Sequence, residues 1–437
     1  NQEYIAEGVT DGLIMELGQL SALERVPSLT TMLQYRETDM TLPEIARDLG
    51  VDAVLEGSLQ WAVEEVRIRL RLIHGSTDKL LWSEEFTGRR GDALALQKSV
   101  VAGVADGVQL ALSAREQARL APPAYSPIPE AYEAYLNGRS HARHWTPEEV
   151  RKAADYFEEA VTIDPAFVLA RAALVETRCT LFPSLFMSDQ TPEPEECERL
   201  ARDVIESDPG ISEAHAALAM ALNRVWDWSE AEAEFRTALE LNPNAVWPRA
   251  WYGWFLTQVS RPQDGLAQAR RAESLEPDNP FVKVLVTQPL LNLHRYDEAL
   301  AQTDSVLSLD PDHYAAFIYR AHIYALRGEA ELAGAATAQA GLLVGDDFPP
   351  VVTLRAWVAA LEGDEERALE LMATWKELLP LTQVYPYLAL GKENEALDAL
   401  EQAYQQRNEW LPNLTSAPQV DPIRNHPRFK VLREALG

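Results

Sequence analysis

The side chains that could do chemistry are scattered along this chain of 437 residues rather than gathered into a signature. His141 and His144 stand three apart on one helical face and could hold a metal if a third ligand joined them. Surface polar packing accounts for such a pair more simply. Arg67, Arg69 and Arg71 alternate with apolar residues and could form an anion site, or a solvated outer sheet face answered by Glu56 and Glu85. The pairs Asp346-Asp347 and Glu365-Glu366 fall in turns or first helical turns, where the helix dipole explains them. Cys179 and Cys197 are the two cysteines, and their spacing leaves open whether they pair. No phosphate loop, GxGxxG, GxSxG, HExxH or cysteine cluster occurs. The expectation is a non-catalytic chain with no catalytic residue, metal site or cofactor.

Composition narrows the partners. Hydrophobic residues make up 47% and charged residues 24%, the balance of a folded chain. The formal net charge is −29, which repels phosphate backbones, so nucleic-acid binding is not expected and a neutral or basic peptide is easier to accommodate. No run approaches the length of a membrane span. The chain begins at Asn1 without Met and reads as a piece of something longer. Its compartment, on either side of a membrane anchored upstream, is left open.

The elements that must position any site are set by four prolines. Pro209, Pro243, Pro277 and Pro311 follow at 34-residue intervals, each ending an apolar helical run. Within one interval Leu218, Ala231, Phe235, Ala238 and Pro243 give the order of small and large residues that two packed antiparallel helices need. That is the signature of a tetratricopeptide array. Positions 2, 5, 9, 12 and 13 of each repeat line the concave face in such an array. They deliver Asn223, Arg224, Trp247, Trp254, Gln258, Phe281, Gln288, Asn292 and His322 as candidate ligand-binding residues. Aromatic rings beside amides suit an extended peptide. Trp247 and Phe281 fit inter-repeat packing equally well. Trp226-Asp227-Trp228 lies in a turn, where buttressing is expected rather than ligand contact.

Ahead of the repeats the pattern is mixed. Ile5, Val9, Leu13, Leu17 and Leu20 predict an amphipathic helix, and a short strand is expected around Val26. Thr41-Leu42-Pro43-Glu44 opens another helix that ends at Gly50. From Ala53 the period is two through Trp61, Val66–Leu72 and Leu80–Phe86, which predicts a three-stranded antiparallel meander covered by a helix carrying Leu94, Val101, Val104 and Val108. Tyr4–Leu13, Glu44–Ser58 and Leu81–Phe86 together resemble the TolB-like (FlgO-type) amino-terminal module of bacterial signalling proteins. The resemblance implies a following tetratricopeptide tract and, in the intact parent, a kinase, nucleotide cyclase or DNA-binding output domain. Members usually carry an apolar strand before the first helix; if that strand is lost here, the sheet is expected to show an open edge or a gap.

The expected plan is an α+β module over 1–120, a Pro-rich linker over 121–130, repeats over 131–384 with an insertion near 181–195, and a degenerate repeat with a C-terminal cap over 385–437. The fold class is α+β with a small, mostly antiparallel sheet, then an all-α tetratricopeptide superhelix. The expected function is a protein-interaction or sensory scaffold holding a protein or peptide in the concave surface. Two alternatives stay open: a small-molecule or enzymatic site at the α/β module or domain junction, and a homodimerisation module for an upstream output domain.

Overall fold

The computed structural model describes residues 3–36, 38–62, 65–89, 92–121, 125–142, 147–181, 192–373 and 380–436. They form two compact units, one of residues 1–222 and 229–248, the other of residues 223–228 and 249–437.

The first unit opens with α1 (Glu3–Gly18), α2 (Leu29–Leu33) and α3 (Leu42–Leu49). Thr41 and Glu44 exchange hydrogen bonds in a capping box at the start of α3, and Gly50 ends it at φ 63°, a conformation that favours glycine. The expected strand around Val26 does not form, and residues 25–28 are irregular chain between α1 and α2. The alternating stretch does fold as predicted: β1 (Ala53–Trp61), β2 (Glu65–His74) and β3 (Leu80–Arg89) pair antiparallel in the order β1-β2-β3, with Glu56 opposite Arg71 and Arg69 opposite Glu85. β1 is an edge of this sheet. On the outer face Arg71 pairs with Glu56 at 2.9 Å, Arg67 with Glu85 at 3.4 Å and Glu65 at 3.0 Å, and Arg69 with Glu85. The arginine stripe is thus a solvated, cross-paired surface. α4 (Ala93–Gly107) covers the other face, and Gly103 and Gly107 let Phe86 and Trp82 come against its backbone.

After α5 (Ala114–Leu120) come α6 (Pro129–Ala142), α7 (Pro147–Ile163) and α8 (Val168–Glu176). One apolar core runs through all of them. Ile5, Val9 and Leu13 of α1, Ile68 and Leu70 of β2, and Val100 and Val104 of α4 are continuous with Tyr135, Phe157 and Phe167 beyond the Pro-rich stretch. The sequence places a boundary over 121–130, but the core does not stop there. The reason is local: the Asp164 carboxylate, next to Pro165, accepts from the Tyr125 hydroxyl and from the Ile128 amide at 2.9 Å, tying the stretch down. Cys179 and Cys197 are joined in a disulfide, both sulfurs buried, with their Cα atoms 5.6 Å apart. The core of the expected insertion, 182–191, lies outside the described residues.

Paired antiparallel helices with a short link then repeat: Ser212–Arg224 with Trp228–Leu241, Val246–Gln258 with Pro262–Leu275, Tyr314–Leu326 with Ala330–Val344, and Pro349–Leu361 with Glu365–Ala373. They are the tandem antiparallel hairpins that the 34-residue tetratricopeptide pattern predicts. The small positions Ala231, Ala238, Ala269, Ala299, Ala333 and Ala368 are fully or almost fully buried, as helices in close approach require. One first helix departs from the pattern. Between Pro280 and Asn292 it breaks into Pro280–Val284 and Thr287–Asn292, with Pro289 in its second part.

One more hairpin continues the stack, its Tyr385 meeting Trp357 with ring centres 5.1 Å apart, and an irregular tail follows. That hairpin, of Val384–Ala389 and Glu393–Gln405, is followed by three short pieces, Leu411–Ser416, Pro418–Ile423 and Pro427–Leu436, whose Leu411, Leu414, Val420, Ile423 and Phe429 pack with Ala396, Leu397 and Leu400. Pro412, Pro418, Pro422 and Pro427 deny this stretch the long helices a repeat needs.

Candidate functional site

The candidate residues of the second unit sit on the first helices of successive hairpins. Asn223 and Gln258 are buried and joined, the Asn223 amide donating to Gln258 Oε1 at 2.9 Å. Gln288 donates to Asn292 Oδ1 at 2.7 Å, four residues on along the same helix. Arg224, Trp254 and Asn292 are brought together by a third party, the chain's own tail.

Each of those three grips the tail at a different point. The Arg224 guanidinium donates to the Glu409 carboxylate across 185 residues of sequence. Trp254 meets Trp410 edge to face with ring centres 5.9 Å apart, a pairing worth about 0.5–1.5 kcal/mol beyond its buried area. Asn292 donates to the Ser416 carbonyl at 3.3 Å and lies 3.2 Å from its hydroxyl. Around them Trp226, at φ 68°, stacks on Tyr404 at 5.8 Å and lies under the Arg407 guanidinium at 5.9 Å. His294 lies 3.4 Å from Asp421, and Arg433 donates to the Ser260 hydroxyl at 2.9 Å. Residues between 404 and 433 thus lie against side chains that the repeat positions offer for a concave face. The proline-broken tail lacks the long helices of another repeat, and its side chains lie against residues of three hairpins, at Arg224, Trp254 and Asn292.

The other candidates have different surroundings. Phe281 packs on His313 with ring centres 4.6 Å apart, an inter-repeat contact, and burial pushes His313 down to about 4. His322 donates from Nδ1 to the Ile318 carbonyl at 2.9 Å and lies 5.9 Å from both Trp357 and Tyr385; burial lowers its pKa. Trp247, half-buried, belongs to the first unit. His141 is held by Glu149 at 2.6 Å and stacks on Tyr156, while His144 lies outside the described residues.

Sequence reasoning missed two groups. Glu409, Trp410 and Ser416 belong to the tail rather than to any repeat position; an acid beside a Trp ahead of Pro412 is the signal that could have drawn notice. In the first unit, Arg139 of α6 holds Asp11 of α1 through Nε and Nη2 at 2.8 and 2.6 Å, and Glu176 and Glu213 share its field. Asn244 donates to the Gly18 and Leu23 carbonyls at 3.0 and 3.1 Å, satisfying the end of α1. At the sheet, where one alternative reading puts a site, there is a shallow cleft of about 570 Å³ lined by Trp82, Glu84, Phe86, Gly103, Asp106 and Leu120.

No family model matches this sequence. The chain is 28% identical over 231 residues to putative adenylate cyclase 3 of Rhizobium meliloti (strain 1021), a match covering 53% of this chain and 39% of that protein. It therefore spans well under half of the curated relative it resembles. Among solved structures, yeast Tom70 aligns at TM-score 0.42 and 17% identity over 72% of this chain and 68% of its own. PilF of Pseudomonas aeruginosa aligns at 0.38 and 19% over 49% and 94%, and a tetratricopeptide repeat protein of Parabacteroides merdae at 0.40 and 13% over 61% and 99%.

Proposed function

We propose that this segment is a non-catalytic interaction scaffold of a bacterial signalling protein, in which the first helices of the second unit's repeats hold a polypeptide. One observation carries the reading: Arg224, Trp254 and Asn292 engage a non-repeat stretch of chain through a charge, a ring and an amide, the three kinds of contact a peptide groove uses. The amino-terminal part is read as a TolB-like α/β module over 1–120, supported by the three-stranded sheet and its edge at β1, with the repeats and cap following over 131–437. The match to a protein named as a putative adenylate cyclase supports a parent in which such a scaffold accompanies a cyclase output domain.

The test is a panel of immobilised 15-residue peptides of varied sequence, probed with the wild-type chain and with a Trp410→Ala chain. Capture of at least one peptide that falls tenfold or more on adding Trp254→Ala, with far-UV circular dichroism and melting unchanged, is the expected result. If neither chain captures any peptide, or capture ignores Trp254 and Arg224, the groove reading is lost.

A further inference from the structure

Resting on that groove reading, we infer that residues 406–424 are a built-in ligand of the second unit, and that the groove's outside partner is a peptide of the same chemistry: an acidic residue directly before a tryptophan, followed by a proline-broken, hydroxyl-bearing stretch. The tail states the code itself. Glu409 meets Arg224, the next residue Trp410 meets Trp254, and Ser416 meets Asn292, so three groove residues from three successive hairpins read three positions within eight residues. Charge, ring and amide fall in the same order along the groove and along the tail.

Polar atoms of a groove helix and of the tail stay unpaired among the described residues. Gln258 is 3% exposed, yet its Nε2 donor meets no acceptor among the described residues. On the tail the buried acceptors Asn413 Oδ1 and Gln419 Oε1 likewise meet no donor. Polar atoms buried without a partner weaken an association, so a peptide that supplied an acceptor to Gln258 would replace the tail on better terms. The tail is tethered, though, and its high effective concentration keeps weak competitors out. A partner must match the acid–tryptophan pair to enter.

A fluorescein-labelled peptide of residues 406–424 is titrated into the full wild-type chain, into Trp410→Ala, which loosens the tail's anchor, and into Glu409→Gln, which keeps the side chain's shape in case the larger truncation unfolds the unit. The expected result is at least tenfold tighter capture by one or both variants than by wild type. That gain should vanish when Trp254→Ala or Arg224→Ala is added, and a peptide with its Glu409 and Trp410 positions replaced by alanine should not bind. Should panel peptides bind through Trp254 while the 406–424 peptide binds no variant, the inference fails and the groove reading stands. If nothing binds any chain, both fail. Concentration-dependent dimers in which the tail of one copy crosslinks to the groove of another would overturn the outside-partner assignment in favour of exchange between copies.

Discussion

Arg139 brings one positive charge among three carboxylates, those of Asp11, Glu176 and Glu213, in a half-buried cluster. Burial alone would lower its pKa, but the acid field, Asp11 foremost, raises it above the ordinary arginine value. The acids outnumber it. Burial first, and then the Glu213 charge, push Glu176 up to about 7 against the opposing pull of Arg139, and burial raises Glu213 as well. Between pH 4.5 and about 7 the folded chain therefore holds more protons here than the unfolded one. The stability this contributes is complete below pH 4.5 and is lost as pH rises through 7. Glu176→Gln removes that loss. It should leave the first unit's denaturation midpoint nearly unchanged at pH 4 and stabilise it by about 1–3 kcal/mol at pH 8, read from urea titrations at the two pH values.

Helices that pack as hairpins need one small residue where their backbones come closest. In the α6–α7 hairpin that residue is Gly138, where a methyl group would overlap the Phe157 ring. Gly138→Ala should cost about 1–3 kcal/mol of the first unit's stability in urea unfolding, because neither the ring nor the helix has room to give. Gly334, inside the helix Ala330–Val344, is the contrasting case: an added Cβ would touch Val358 Cγ1 at 3.5 Å, an ordinary contact. Alanine there should be tolerated and gain about 0.5–1 kcal/mol from helix propensity. This level of structure was legible in the sequence, since the alternation of small and large residues at Ala231, Phe235 and Ala238 is a local pattern that hairpin geometry enforces. The meander was legible for the same reason, Val66–Leu72 alternating with a period only a strand satisfies. The supposed strand at Val26 does not form: Pro27 follows at once, and among the described residues no sheet edge takes it up.

Across the whole molecule the legible part ends where partners lie far apart in sequence. Asp11 and Arg139 are 128 residues apart and Arg224 and Glu409 are 185 apart; no periodicity encodes either pair. The candidate residues were found by their repeat positions, and what occupies their surface was not, because the tail's own pattern announces only that it is not a repeat. The Cys179–Cys197 disulfide is of the same kind: its closure of an 18-residue separation is a fact of packing rather than of spacing. It lies within the first unit. Reduction should lower that unit's unfolding transition by about 3 kcal/mol and leave the transition of residues 249–437 in place, which calorimetry with and without reductant would resolve as one moving and one fixed peak. A stack of repeats ordinarily frays from its last member inward, each hairpin loosening as its neighbour leaves. In the second unit the last hairpin's Tyr404 and the helix Pro427–Leu436 are fastened to Trp226 and Ser260 near the first. Peeling from that end must begin by unclasping a loop, so the run holds together as a circle does, with no loose thread to pull.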